Sequence, residues 1–243
     1  MIMSIRKHIP NTLTCCNLLS GAVAVVMAFE GRFTWAFLLI ILGALFDFCD
    51  GASARLLRVS SPIGKELDSL ADLITFGLAP SMMLVESIRL MTMNSNYDWG
   101  YWPLVGLLMA AFSALRLAKF NVDERQTTSF IGLATPANAL FWGSLLADWP
   151  QLASYAEWVP FAMMVMMLLS CWLLVCELPF FSLKFHNFAW AENKVRYIFL
   201  IGCVLLIIIC ASIGHVLFAG AACIIWYVIA ALIAARLSCA SKS

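Results

Sequence analysis

The amino-acid sequence predicts an all-α polytopic membrane bundle with about eight transmembrane helices. Of its 243 residues, 63% are hydrophobic and only 12% are charged, whereas a soluble domain usually carries roughly 25% charged residues. Long apolar stretches also recur along the chain, and a membrane helix needs about 20 mostly apolar residues. We therefore expect a single integral membrane domain that covers residues 1–243.

The apolar stretches define the predicted spans in order. They cover roughly residues 13–30, 33–55, 63–90, 101–121, 133–148, 157–177, 195–213 and 215–236. The fifth is short, which is typical of a re-entrant or tilted segment. The last two are separated by the tight turn Ser212–His215.

The basic residues predict how these spans are oriented. With eight spans both termini lie on one side, and that side collects thirteen of the fifteen Lys and Arg residues, all except Arg32 and Arg89. Because cytoplasmic loops are enriched in Lys and Arg, we expect both termini and the loop after the second span to face the cytoplasm. An interfacial aromatic belt is predicted at the outer ends, from Trp35, Trp99, Tyr101, Trp102, Trp149 and Trp158.

Composition argues against several other classes of site. The nine cysteines lie scattered in apolar runs, with neither a disulfide framework nor zinc-like spacing, so we interpret them as small packing residues. A net charge of +1 gives no reason to expect nucleic acid as a partner. No small-residue cleavage site follows the basic pair Arg6–Lys7, so no removed signal peptide is expected. Three histidines have no partner at ligand spacing and are predicted to be surface or interface residues: His8, His186 and His215.

Four aspartates lie inside predicted spans, where a charge is expensive. Asp47 and Asp50 end the second span, and Asp68 and Asp72 begin the third. An aspartate at the bilayer centre costs about 2.5–3.5 kcal/mol, and less toward the interface. Residues three or four apart share a helix face, and the short connection around Ser60–Pro62 makes the two helices antiparallel neighbours. Four carboxylates at matching depth favour one or two divalent cations, with Mg²⁺, Mn²⁺ or Ca²⁺ preferred over zinc.

The residues around the aspartates favour a phosphate ligand. Gly51 and Ala54 remove bulk beside the acids, Arg55 can form a forked pair with a phosphate, and Ser61 can donate a hydroxyl hydrogen bond. Structural aspartates and a cation-coupled transporter are the alternatives. Transporters, however, tend to bind near the midplane on broken helices, whereas these acids lie near one interface.

The segment from Asp47 to Arg55, followed by Gly64, Asp68 and Asp72, resembles the signature of the CDP-alcohol phosphatidyltransferases at all of its eight fixed positions. The resemblance implies a six-helix catalytic core within residues 1–190, containing the motif at 47–72, and a C-terminal helix pair in residues 191–243. It also implies membrane lipids as neighbours, a homodimer, and a location in the cytoplasmic (inner) membrane with the active site facing the cytoplasm.

Segments outside the signature are similar to the bacterial and archaeal family members that use serine. The stretch Glu66–Ser81 carries Ser69 and Leu73, where relatives that make phosphatidylglycerophosphate usually have proline and a basic residue. Similarity to the serine enzymes extends over three further segments and one single residue: Ile9–Thr14, Asn17, Arg116–Asn121 and Gly132–Pro136.

The resemblance implies transfer of a phosphatidyl group from CDP-diacylglycerol to L-serine, with release of CMP. Mg²⁺ or Mn²⁺ would be held by Asp47, Asp50, Asp68 and Asp72, with Ca²⁺ as a substitute, and Asp72 would also accept the serine hydroxyl proton. The implied CDP contacts are Gly51, Ala54, Arg55 and Ser61.

Other positions retain two interpretations. Three residues either line the nucleotide pocket or cap the first helix: Asn11, Thr14 and Asn17. Three more either hold the serine carboxylate or serve as interfacial anchors or lipid-headgroup contacts: Arg116, Lys119 and Asn121. The alternative functions are the same reaction with another alcohol, such as glycerol phosphate, inositol phosphate or choline, and a cation-coupled membrane transporter.

Overall fold

A computed structural model describes residues 2–59, 61–93, 98–123, 130–148, 157–180 and 190–240. These residues form eight helices, which confirms the all-α prediction: α1 (Ile2–Phe29), α2 (Phe33–Leu57), α3 (Pro62–Thr92), α4 (Trp102–Val122), α5 (Thr135–Asp148), α6 (Val159–Val175), α7 (Trp190–Ser212) and α8 (Ala219–Ala240). Two short strands pair antiparallel: β1 (Phe130–Ile131), in the connection from α4 to α5, and β2 (Pro179–Phe180), in the connection from α6 to α7.

Five of these helices are long and apolar enough to cross a membrane: α1 from His8, α2, α3, α4 and α7 from Asn193. Helix α6 and the segment Ala219–Ala234 of α8 are apolar but shorter. Helix α5 has 14 residues, about 21 Å at 1.5 Å per residue, which is less than the roughly 30 Å of a hydrocarbon core. The chain is therefore an integral membrane bundle, and the segment predicted to be short is short.

The first helix begins earlier than the sequence predicted. Helix α1 starts at Ile2 and continues through Pro10, whereas the apolar pattern placed the first span from residue 13. A proline removes one helical hydrogen bond but does not always end a helix. The additional turns matter because they bring Pro10 and Asn11 next to the aspartates.

The connection between α2 and α3 is a tight reversal with clear local causes. Helix α2 ends at Leu57, and the next residue, Arg58, adopts a left-handed conformation with φ of 51° and donates its N–H to the carbonyls of Ala54 and Arg55. Helix α3 begins at Pro62, and the Ser61 hydroxyl oxygen accepts a hydrogen bond from the Gly64 N–H at 2.9 Å. Ser60 lies outside the described residues. Helix α1 packs against both α2 and α3.

Helix α3 contains one widened turn directly after Asp72. Residues Leu73–Leu78 are π-helical, and the Ala79 N–H donates to the carbonyl of Ile74, five residues earlier. Such turns are rare and occur frequently at functional sites. Nothing in the apolar pattern predicted this turn.

The end of the bundle that was predicted to face outward agrees only partly with the sequence prediction. Trp35, Tyr101, Trp102 and Trp158 are exposed, as an aromatic belt requires. Trp99 is instead buried, with its ring centroid 4.6 Å from that of Phe161, so its assignment to the belt was wrong. Trp149 lies outside the described residues.

One histidine has a partner that the sequence did not indicate. The Nδ1 atom of His215 lies 2.9 Å from Oδ2 of Asp148, so a half-buried pair joins the turn before α8 to the end of α5. The pairing was missed because these two residues are far apart in sequence. The predicted tight turn before His215 is present, with Gly214 at φ of 83°. His186 lies outside the described residues.

Candidate active site

Three of the four membrane aspartates form one cluster. Asp47 and Asp50 come from the last turns of α2, and Asp68 comes from the second turn of α3. One carboxylate oxygen of each lies within 4.8 Å of the others. Asp50 is buried, and the other two are half-buried. The helical spacing therefore does gather carboxylates from both helices, as the sequence predicted.

This aspartate triad has the character of a cation site. Two full negative charges at such a separation repel by roughly 3 kcal/mol at an effective dielectric of 20. In addition, Oδ1 of Asp68 is buried and has no hydrogen-bond partner among the described residues, although buried polar atoms are usually paired. An all-carboxylate set fits hard divalent cations such as Mg²⁺, Mn²⁺ or Ca²⁺.

Asp72 is not one of the three clustered carboxylates, and its role as a fourth metal ligand stays a prediction. It lies one turn after Asp68 on α3, and its Oδ1 accepts a hydrogen bond of 3.1 Å from Nδ2 of Asn17 on α1. Asn17 is fully buried, and its Oδ1 has no partner among the described residues. In the structure, Asn17 therefore contacts Asp72. The sequence had left two interpretations of Asn17 open, a nucleotide contact and a cap of the first helix.

A cavity of about 280 Å³ lies beside the aspartate triad, between α1, the end of α2 and the start of α3. Its wall includes five of the predicted nucleotide contacts: Asn11, Thr14, Gly51, Ala54 and Ser61. Asp50 and Asp68 face the same space, so the cavity joins the aspartate triad directly. Gly64 of the signature also lies in the wall, together with three residues that the sequence did not assign to the site: Pro10, Val59 and Lys65.

Small and hydroxyl-bearing side chains shape this cavity. A Cβ on Gly64 would lie 3.0 Å from Ser61 Oγ and 3.1 Å from Asn11 Oδ1, tighter than most Cβ contacts. The Thr14 hydroxyl lies 2.5 Å from Oδ2 of Asp50 and 3.0 Å from the carbonyl of Pro10. Thr14 therefore fastens α1 to one carboxylate of the aspartate triad.

Two basic side chains lie near the cavity. Arg55 is exposed at the end of α2, and its Nη1 would be 3.6 Å from a Cβ on Gly51. Arg55 itself does not line the cavity. Lys65 does, and its Nζ donates to the backbone carbonyl of Asn121 at 3.2 Å. Lys65 directly follows Gly64 of the signature, and this position was the signal that could have identified Lys65 as a residue of the site.

The three predicted serine contacts do not converge on one point. Arg116 is buried, its charge is attracted by Asp72, and its Nε has no partner among the described residues. Lys119 instead approaches Glu177, with 3.7 Å between Nζ and Oε1, and Nδ2 of Asn121 donates to Ser69 Oγ at 2.8 Å. Of the three, Arg116 is the one that is buried with an unpaired donor among the described residues.

Comparison with known proteins agrees with this arrangement. The sequence model of the CDP-alcohol phosphatidyltransferase family matches residues 7–191. Three similar proteins are each named CDP-diacylglycerol–serine O-phosphatidyltransferase. The Bacillus subtilis protein is 38% identical over 134 residues, which cover 54% of this chain and 70% of that protein. The Helicobacter pylori protein is 34% identical, with 54% of each chain covered. The Methanocaldococcus jannaschii protein is 33% identical, with 57% of this chain and 61% of that protein covered.

The matched region includes the aspartate triad, Asp72 and the whole wall of the cavity. The chain therefore belongs to the CDP-alcohol phosphatidyltransferase family.

Proposed function

We propose that this chain transfers the phosphatidyl group of CDP-diacylglycerol to the hydroxyl of L-serine and releases CMP. The aspartate triad carries this proposal, because it lies against a cavity whose wall matches the family signature. The names of the three relatives support serine as the acceptor.

The cavity suits the nucleotide end of the donor lipid. Its volume of about 280 Å³ is near the lower limit of small-ligand sites, roughly 300–1,000 Å³. Gly51, Ala54 and Gly64 leave room for the pyrophosphate, and Lys65 and Arg55 supply positive charge at the same end of the bundle. The acyl chains can then remain in the bilayer beside the helices.

Asp47, Asp50 and Asp68 would hold the divalent cations, and Mg²⁺ and Mn²⁺ are the ions we propose. Bound there, such ions would neutralise the pyrophosphate and the charge that develops on the leaving nucleotide. The chain's own contribution is a fixed set of oxygens from two helices. The unpartnered Oδ1 of Asp68 supports this assignment.

Asp72 would act as the general base. The serine hydroxyl oxygen attacks the phosphorus of the phosphatidyl group, its proton passes to the Asp72 carboxylate, and the bond from phosphorus to the CMP oxygen breaks. The hydrogen bond from Asn17 holds one oxygen of Asp72 in place and leaves the other for the proton. Such proton transfer typically contributes about 10²–10⁴ in rate.

Arg116 is the best-placed group for the serine carboxylate, because it is buried beside Asp72 with an unused donor. Ser69 and Asn121 form one hydrogen-bonded pair on the adjacent surface of α3 and α4. We propose that this pair borders the acceptor site, which would explain why the serine branch of the family differs there from its relatives.

We infer the orientation of the protein from its basic residues. Arg32 and Arg89 lie near the ends of α2 and α3 that are remote from the aspartates, whereas the other described basic side chains lie toward the site end or on the C-terminal helices. The positive-inside rule supports a site at the cytoplasmic face, and we propose the inner membrane as its location. We also propose a catalytic core in residues 1–190, because the family match ends close to that boundary, and an additional helix pair in residues 191–243. A homodimer is proposed as well.

An acceptor panel tests the proposal. Purified protein in mixed micelles would receive CDP-diacylglycerol, Mn²⁺ or Mg²⁺, and either labelled serine, glycerol phosphate, inositol phosphate or choline. We expect CMP release and lipid label with serine. Label from another alcohol would establish the same reaction with a different acceptor. Absence of CMP release with every acceptor would favour the transporter and contradict the proposal.

A further inference from the structure

Thr75, in the widened turn of α3, lies where α1, α2 and α3 meet. Its side chain is fully buried, and its hydroxyl donates to the backbone carbonyl of Asn17 at 3.0 Å. Asn17 in turn donates its side-chain amide to Asp72. Two hydrogen bonds therefore link Thr75 to the aspartate that we propose as the base.

Glycines on both neighbouring helices make room for Thr75. A Cβ on Gly21 of α1 would lie 2.3 Å from Thr75 Oγ1 and 2.6 Å from its Cα. A Cβ on Gly43 of α2 would lie 2.5 Å from Thr75 Cγ2 and 2.9 Å from Asn17 Oδ1. Real Cβ atoms essentially never come within 3.0 Å of another atom in this way. The three helices are thus in direct contact at this threonine.

The direction of the Thr75 hydrogen bond is unusual for a helix. Serine and threonine inside helices commonly donate to the carbonyl three or four residues earlier, as Ser81 of α3 does to Gly77 at 2.7 Å. Thr75 donates to another helix instead, from within the π-helical turn. Gly43 also lies one turn before Asp47, so the contact adjoins the aspartate triad as well as Asp72.

From this geometry we propose that Thr75 is a positioning residue for the transfer reaction. It fixes Asn17, and Asn17 orients the Asp72 carboxylate toward the acceptor hydroxyl. Thr75 touches neither substrate in this account. The inference depends on the proposed function, because it requires Asp72 to accept the acceptor's proton.

A matched pair of variants separates the hydroxyl from the packing. Thr75→Val keeps the shape and removes the donor, and Thr75→Ser keeps the donor and removes the methyl group that faces Gly43. Since a 1 Å misplacement of a catalytic group can reduce the rate by about 10²-fold, we expect kcat to fall at least tenfold in Thr75→Val. The KM values for both substrates and the Mn²⁺ titration should stay within about twofold. Thr75→Ser should restore kcat.

Two further variants provide a control for loss of a buried hydroxyl and a test of whether Thr75 acts through Asn17. Ser81→Ala removes a buried hydroxyl from the same helix without touching Asn17, and it should leave kcat unchanged. Asn17→Leu should reduce kcat as Thr75→Val does, and the double variant should lose no more than either single variant, because both act through one path. Additive losses would overturn the inference.

The remaining outcomes are also decisive. Unchanged kcat in Thr75→Val, or an equal loss in Thr75→Ser, would overturn the role of the hydroxyl. These results require a parent protein that shows serine-dependent CMP release. Absence of that release from the parent protein would refute the proposed function instead, so the two failures are distinguishable.

Discussion

Replacement of Asp72 by asparagine separates proton transfer from substrate binding. The asparagine has the same shape, and its amide oxygen can accept the hydrogen bond that Asn17 now donates at 3.1 Å. The aspartate triad stays intact, because Asp72 is not one of its members. The variant therefore loses mainly a proton acceptor and one negative charge.

The expected loss follows from the role of the lost group. A general base contributes about 10²–10⁴ in rate, so we expect kcat to fall by that factor, equivalent to about 2.7–5.4 kcal/mol of activation free energy. CDP binding in the presence of Mn²⁺ should be retained, because Asp72 does not line the cavity. The assay is CMP release at saturating substrates, with thermal stabilisation of the protein by CDP and Mn²⁺ measured in parallel.

Glu66→Gln is the matched control. It also neutralises a carboxylate on α3, but Glu66 is exposed and does not line the cavity, so both measurements should match those of the parent protein. Residual activity of Asp72→Asn within about tenfold of the parent would remove Asp72 from the role of base. A parallel loss of CDP binding would show that Asp72 mainly holds the donor.

Three further substitutions test separate parts of the site. Asp47→Asn removes one of three clustered carboxylates and should raise the Mn²⁺ concentration for half-maximal activity by about tenfold or more; an unchanged titration would contradict its role as a ligand. Gly64→Ala places a Cβ 3.0 Å from Ser61 Oγ and 3.1 Å from Asn11 Oδ1, so the KM for CDP-diacylglycerol should rise severalfold while the KM for serine stays constant. Arg116→Gln should raise the KM for serine by about tenfold or more with the donor KM unchanged, and the opposite pattern would assign Arg116 to the donor.

The sequence predicted the parts of the site that depend on helical spacing. Asp47, Asp50 and Asp68 meet because residues three and four apart share a face and because α2 and α3 are joined by a tight turn. The cavity wall at Gly51 and Ser61 follows from the same geometry. These features need no knowledge of how the remaining helices pack.

The parts that were missed depend on contacts between distant segments. Pro10 reaches the cavity only because α1 begins earlier than its apolar stretch. The bond from Asn17 to Asp72 joins α1 to α3, and the Thr75 contact beside it lies in the π-helical turn. Gly21 and Gly43 were the available signal, because small residues permit close approach of membrane helices.

The most direct test of the whole account measures both products under control of the cation. Protein freed of divalent ions by a chelator would be supplied with CDP-diacylglycerol and labelled serine, before and after addition of Mn²⁺. We predict no turnover before addition and, afterwards, CMP and serine-labelled lipid in equal amounts. Serine-labelled lipid formed without a divalent cation, or CMP released without label in the lipid, would contradict the account.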